Sequence, residues 1–153
     1  MLLIFGMGYT AQRIAARWPG AVMGTTSDGR DGTLRFDDEA SVRAAIGTAT
    51  HLLSSIPPVD DVDIVLDRYA GAFGDRWLGY LSSTGVYGDA GGGWVDEATA
   101  VTGRRAGRNA ADQAWVAKGA RVFRLPGIYG PGRSPLTRVA AGKAHRVEVP
   151  GQV

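Results

Sequence analysis

Leu2-Leu3-Ile4-Phe5-Gly6-Met7-Gly8-Tyr9-Thr10-Ala11 is the stretch on which the reading of this 153-residue chain turns. Four apolar residues in a row, with no polar alternation, predict a strand buried on both faces. The run stops at two glycines. Ala11, Ile14, Ala15 and Trp18 then recur at helical spacing, and Pro19-Gly20 ends that helix. In this strand–turn–helix context Gly6-x-Gly8-x-x-Ala11 satisfies the dinucleotide pattern G-x-G-x-x-G/A. Gly6 permits the tight turn, Gly8 leaves room for a pyrophosphate, and Ala11 lets the helix lie close to the strand. Free N–H groups at the helix start would face the phosphates. The same residues also suit an ordinary tight turn.

Outward from this stretch the pattern repeats. Short apolar runs predict strands over 21–26, 33–36, 51–56, 77–81 and 120–125. Helical spacing predicts helices over 40–46, 62–73, 104–118 and 135–144, and 146–149 reads as a terminal strand. On the helix over 104–118, Ala111, Ala114, Trp115 and Lys118 fall near one face. Strands alternating with helices imply right-handed βαβ units. The expected fold is α/β, a Rossmann-type doubly wound, mostly parallel sheet, forming one NAD(P)-binding domain over 1–153. Ligands bind such sheets at the carboxyl ends of the strands.

Composition narrows the function classes. Hydrophobic residues make up 44% and charged residues 21%, which excludes wholesale disorder. Cysteine is absent, so a disulfide scaffold, a zinc-thiolate site and a cysteine nucleophile are excluded. With only His51 and His145, no metal site is expected. Seventeen basic residues interleave with fifteen acidic ones, which argues against a nucleic-acid partner. No apolar run approaches the ~20 residues of a membrane span, and the opening run is too short for a signal peptide. A cytoplasmic location is the expectation.

The second strand ends Gly24-Thr25-Thr26-Ser27, with no acid before Asp28 to take a ribose hydroxyl. Arg30 suits a 2′-phosphate, with Thr26 or Ser27 adding hydroxyl hydrogen bonds, which favours NADP over NAD. Arg30 also reads as a solvated loop charge. Asp37 is a candidate for the adenine amino group, although Asp37-Asp38 equally suits the cap of the next helix. Tyr9 and Thr10 in the glycine turn, Ser54 and Ser55 near the end of the fourth strand, and Pro126, Gly127 and Ile128 after the sixth share the same rim. They complete the candidate cofactor contacts.

Two further segments carry a family resemblance. Leu81-Ser82-Ser83-Thr84-Gly85-Val86-Tyr87-Gly88 resembles the fifth-strand motif of extended short-chain dehydrogenases/reductases, the NAD(P)-dependent epimerase/dehydratase family. Arg124-Leu125-Pro126-Gly127-Ile128-Tyr129-Gly130-Pro131-Gly132 resembles that family's motif after the sixth strand. The glycine loop is one residue shorter than the usual extended pattern, as in an atypical branch. The resemblance implies that Ser83, with Thr84 beside it, contacts a substrate oxygen. It also implies a Tyr acid/base with a Lys one helical turn later.

That pair is missing. Aligned on Asp112, the Lys position is Arg108 and the Tyr position is Arg104. Arg108 keeps a positive charge able to grip a ribose. Arg104 cannot carry the proton, because guanidinium stays protonated in proteins. Tyr87 is the nearest spare phenol, or a packing residue. Arg104, Arg105 and Arg108 suit an anion-binding patch or a solvated helix face. The substrate-binding C-terminal half of the family is expected to be largely missing, leaving a sheet edge on which homo-oligomers can form. The resemblance implies an NAD(P)-binding oxidoreductase or a sugar-nucleotide epimerase/dehydratase-like protein, with a nucleotide sugar or other small molecule as partner. A non-catalytic NAD(P)-binding module, sensor or scaffold, is the alternative.

Overall fold

Leu2–Phe5 forms strand β1, with all four side chains buried. Leu3 and Phe5 point into the larger of two cores, and Leu2 and Ile4 into the smaller, so each face of β1 is covered. That is why no polar residue interrupts the run. Burial of each such side chain contributes about 1.5–3 kcal/mol. The computed structural model describes residues 1–143. Its strands are β1, β2 (Val22–Thr26), β3 (Leu34–Arg35), β4 (His51–Ser54), β5 (Trp77–Ser83) and β6 (Arg121–Leu125). They lie in the order β3-β2-β1-β4-β5-β6, and every pairing is parallel. The order reverses between β1 and β4, where Leu2 lies level with both Val22 and His51. The expected doubly wound α/β sheet is the one observed.

The helices are α1 (Tyr9–Ala15), α2 (Glu39–Thr48), α3 (Ile64–Tyr69), α4 (Ala106–Ala117) and α5 (Pro135–Ala140). In the larger core Phe5 stacks on Tyr69 at 5.7 Å, and Trp115 of α4 stacks on Tyr80 of β5 at 5.4 Å. In the smaller core Ala11, Ile14, Ala15 and Trp18 meet Leu2, Ile4 and Leu53.

Several element bounds differ from expectation for local reasons. α1 ends at Ala15, and Trp18 packs on the smaller core from beyond the helix. α3 starts at Ile64, not at 62. Asp63 accepts hydrogen bonds from the Val65 and Leu66 N–H groups at 3.0 Å, while Val62 pairs with Val59 across a turn. β5 runs on through Ser82 and Ser83, because the Ser82 hydroxyl is buried against a carboxylate. The buried face of α4 is Gly107, Ala111, Asp112 and Trp115, whereas Ala114 and Lys118 are exposed. The strand expected over 146–149, and Ala144 at the end of the last expected helix, lie outside the described residues.

Gly107 marks the closest approach of α4 to its surroundings. A Cβ there would collide with Asp61 Oδ1 and lie 2.5 Å from Asp61 Cα. Asp61 sits at φ 64° in the turn after β4, so its backbone has little freedom to yield. Gly107→Ala gains about 1 kcal/mol of helix propensity but loses more to the overlap. We expect a net destabilisation of about 1–2 kcal/mol, read as a lower urea midpoint at unchanged m. An unmoved or raised midpoint would contradict this packing.

Candidate functional site

The glycine turn is pinned from three sides. Gly6 has φ 85°, and a Cβ there would lie 2.7 Å from Ile56 Cγ1 and 3.1 Å from Ser55 Oγ. Its N–H donates to Thr25 Oγ1 at 3.1 Å, and its carbonyl accepts from the Ser55 hydroxyl at 2.5 Å. The Met7 N–H donates to the Thr25 carbonyl at 3.1 Å. Gly8, the N-cap of α1, differs. It has ordinary backbone angles, φ −75° and ψ −175°, and a Cβ would meet nothing within 4 Å. Ala11 is fully buried against the strand. No side chain caps α1, and its first turn holds no acid.

Gly8 to Ala11 form one wall of a cleft of about 1630 Å³ along the carboxyl rim of the sheet. Ser55 and Pro57 after β4, Leu81 to Gly85 at the end of β5, and Leu125 to Ile128 at the end of β6 form the rest of its floor and sides. Of the candidates read from sequence, Gly8, Tyr9, Thr10, Ala11, Ser55, Ser83, Thr84, Arg108, Pro126, Gly127 and Ile128 line this cleft. Gly6 shapes the turn from beneath. Ser54 is fully buried, and its Oγ has no hydrogen-bond partner among the described residues.

The candidates beyond β2 and β3 stand off the cleft wall. Thr26 is buried, with its hydroxyl shared with Thr33 Oγ1 at 2.7 Å and accepting from the Gly29 N–H at 2.9 Å. Ser27 is exposed. Arg30 pairs with Asp28 at 3.1 Å, both largely exposed. Asp37 takes a two-pronged hydrogen bond from Arg35, at 3.1 and 3.0 Å, which holds its carboxyl below the usual carboxylate range. Asp38 caps α2 through the Ser41 N–H and hydroxyl.

Beneath the cleft floor lies a buried polar network. Asp112 of α4 is wholly buried, and Arg124 of β6 is 14% exposed. Arg124 donates to both Asp112 oxygens, at 2.8 and 3.2 Å, and to the Tyr87 hydroxyl at 3.1 Å. Ser82 Oγ completes it, donating to Asp112 at 2.6 Å. The hydrogen-bonded Asp112 carboxylate holds Arg124 above its usual range. Tyr87 is therefore tied into structure, with the Arg124 guanidinium 4.9 Å from its ring centre. Asp112, read from sequence only as an alignment mark, is the acid on which this network depends.

Among the remaining phenols, Tyr69 donates to the Phe36 carbonyl, the Tyr80 hydroxyl is buried with no hydrogen-bond partner among the described residues, and Tyr129 is exposed. Burial pushes Tyr80 up to about 12, which keeps it protonated near neutral pH. Tyr9 lies in the cleft wall, but its hydroxyl donates to the Pro131 carbonyl at 3.1 Å. Arg13 and Arg133 lie 5.2 and 5.6 Å from the Tyr9 ring centre. Ser83 Oγ accepts from the Gly85 N–H at 3.2 Å and caps the short turn Thr84–Tyr87. Arg104, Arg105 and Arg108 reach the cleft from the start of α4, joined by Arg133, which the sequence reading missed. Its signal was its place after Gly130-Pro131-Gly132, on a loop that leaves the same rim.

Among the described residues no group of three His, Cys, Asp or Glu side chains is placed to hold a metal ion, and no helix is long and apolar enough to cross a membrane. No family model matches the chain. No curated protein matches it either. Solved structures do. A conserved protein of unknown function from Silicibacter pomeroyi is 37% identical, over 99% of this chain and 61% of its own, with a TM-score of 0.82. A protein provisionally named an NAD-dependent epimerase/dehydratase, from Methylobacillus flagellatus, is 25% identical over 91% of this chain and 58% of its own, with a TM-score of 0.68. The dTDP-glucose 4,6-dehydratase of Bacillus anthracis, solved with NAD, is 13% identical over 92% of this chain and 61% of its own, with a TM-score of 0.65, a likeness of fold alone. The structural neighbours are thus epimerase/dehydratase-like, and this chain spans about three-fifths of their length.

Proposed function

We propose that this chain binds a nicotinamide dinucleotide in the rim cleft, with the diphosphate at the turn Gly6 to Ala11, as an epimerase/dehydratase-like oxidoreductase. The carrying observation is the contrast between the two glycines. Gly6 is locked by its neighbours, whereas Gly8 opens onto empty space beside the uncapped start of α1. A pinned turn with one bare face is what a diphosphate needs in order to approach backbone N–H groups. Epimerase/dehydratase-like neighbours support the same reading. Ser55, Tyr9, Thr10, Pro126, Gly127 and Ile128 supply the remaining wall.

A bound nicotinamide supplies hydride exchange. Ser83 and Thr84, at the cleft end of β5, orient a substrate oxygen, and Arg108 holds charge where the resemblance expects a Lys. The substrate is a nucleotide sugar or another small molecule. Among the described cleft residues no Tyr–Lys pair exists to move a proton, and this favours a second reading, a dinucleotide-binding module without turnover. Hydride transfer to NADP+ from the hydroxyl forms of a panel of sugar nucleotides, or from NADPH to their keto forms, separates the two. Turnover establishes the enzyme, and tight binding without turnover establishes the module.

NADP is the favoured form. Arg30 is held only by Asp28, an exposed pair worth little, so it is free to exchange that partner for a 2′-phosphate. Calorimetric titration is expected to show NADPH binding roughly fivefold tighter than NADH, about 1 kcal/mol. Arg30→Ala should bring that ratio close to one. Equal affinities in the unaltered chain would remove the NADP assignment, and undetectable binding of both would remove the dinucleotide itself.

A further inference from the structure

The cleft carries more positive charge than a dinucleotide turn requires. Arg104, Arg105 and Arg108 line it from the start of α4, and Arg133 from the loop after β6. Facing these four is one carboxylate, Asp89, which accepts the Gly91 N–H at 2.8 Å within its own loop. Among the described residues none of the four arginine side chains forms an ion pair. Outside the cleft wall Arg30, Arg35, Arg43 and Arg124 have a carboxylate partner, while Arg13, Arg17, Arg68, Arg76, Arg121 and Arg138 have none among the described residues, so it is the gathering of four unpaired guanidinium groups in one cleft that sets these apart. Arg133 lies near the Tyr9 ring, a contact that uses none of its N–H donors.

The start of α4 sharpens the point. A helix N-terminus is the positive end of the helix dipole and favours acids in its first turn. α4 runs twelve residues and has no acid there. Its N-cap is Arg105, whose side chain caps nothing, and Arg108 follows within the same turn. These cations repel one another and the dipole. Arg104 and Arg105 are exposed and Arg108 half-buried, so packing does not demand them. An anion in the cleft relieves all these repulsions together, because each guanidinium presents a planar fork of donors matched to carboxylate or phosphate oxygens.

We propose that the α4 end of the cleft binds a small molecule bearing a group with at least two negative charges, a phosphate ester or a polycarboxylate, gripped by Arg104, Arg105 and Arg108 with Arg133 adding charge from the loop after β6. The proposal names the substrate class of the cleft and rests on its being a small-molecule site, but it does not require a dinucleotide beside the anion.

The test is calorimetric titration of the 153-residue chain at low ionic strength with inorganic pyrophosphate and, separately, with citrate. At least one probe is expected to bind, and to bind about tenfold more weakly or less to Arg104→Gln/Arg105→Gln. Pyrophosphate alone identifies a phosphate ester, and citrate alone a polycarboxylate. The double variant should keep its NADPH affinity within about twofold. Gly8→Val should lose NADPH and keep the probe. Amide shifts over 105–109 should move with the probe in the unaltered chain. The proposal is overturned if neither probe binds, if the double variant binds the probe as well as the unaltered chain, or if Gly8→Val abolishes probe and NADPH together, which would place the anion on the glycine turn. A probe that behaves as expected while NADPH never binds removes the dinucleotide reading and leaves this one standing.

Discussion

Gly8→Val is expected to abolish dinucleotide binding and leave the fold intact. The affinity should fall by at least a hundredfold, about 3 kcal/mol, while the unfolding free energy measured in urea stays within roughly 1 kcal/mol of the unaltered chain. The separation follows from two facts about this position. Its φ of −75° is open to any residue, and a Cβ there meets no atom within 4 Å. The Cβ of a valine therefore meets no obstacle in the free protein, and its side chain fills the space a diphosphate would enter. Gly6 offers no such separation, because its φ of 85° and the 2.7 Å approach of Ile56 Cγ1 make any side chain a folding defect. Calorimetry with NADPH, paired with urea unfolding, decides the matter. Retained affinity in Gly8→Val would mean that the turn does not cradle the ligand.

Asp112→Ala should be the most damaging single change to stability. It removes both hydrogen-bonded oxygens from Arg124, which is only 14% exposed, and the acceptor of the Ser82 hydroxyl. Breaking a buried pair from one side costs about 3–5 kcal/mol, since the remaining charge is left without compensation. Replacing both members by apolar residues of similar size should cost less than the single change, because no orphaned charge remains. The comparison of Asp112→Ala with Asp112→Leu/Arg124→Met in urea carries the test. Costs that simply add would show that the two groups do not depend on each other.

The two predictions address parts of the molecule that were unequally legible beforehand. The central strand and its turn could be read from 2–11 because burial on both faces excludes polar residues, and a turn this tight admits glycine at Gly6. The parallel, doubly wound character of the sheet then followed from the alternation of strands and helices, while the strand order itself came only from the structure. Helix limits were less legible. Val62 has the spacing of the helix that follows it, yet Asp63 captures the N–H groups of Val65 and Leu66 and starts α3 beyond it. Ser82 and Ser83 read as loop, but a buried carboxylate thirty residues on makes Ser82 a strand residue.

The candidate site divides in the same way. Residues just past strand ends were foreseeable, because every parallel strand delivers its following loop to the same rim, and Ser83, Thr84, Pro126 and Gly127 do meet there. The partnerships among side chains were not. Nothing in the order of residues reveals that Arg124 meets Asp112 and Tyr87, or that Arg35 rather than the chain's other cations engages Asp37. Such pairings depend on rotamers and on the distance between neighbouring elements.

The position of β1 bears on how the chain is made. It is made before either of its partners, yet it occupies the middle of the sheet, beside strands that begin at Val22 and His51. Until β4 has emerged, Leu2–Phe5 holds one flank of unpaired backbone groups and four apolar side chains without their full cover. A product of translation stalled before His51 would expose a ready template for strand pairing with its neighbours. The interval between the synthesis of β1 and that of β4 is therefore when this part of the chain is most open to wrong pairing.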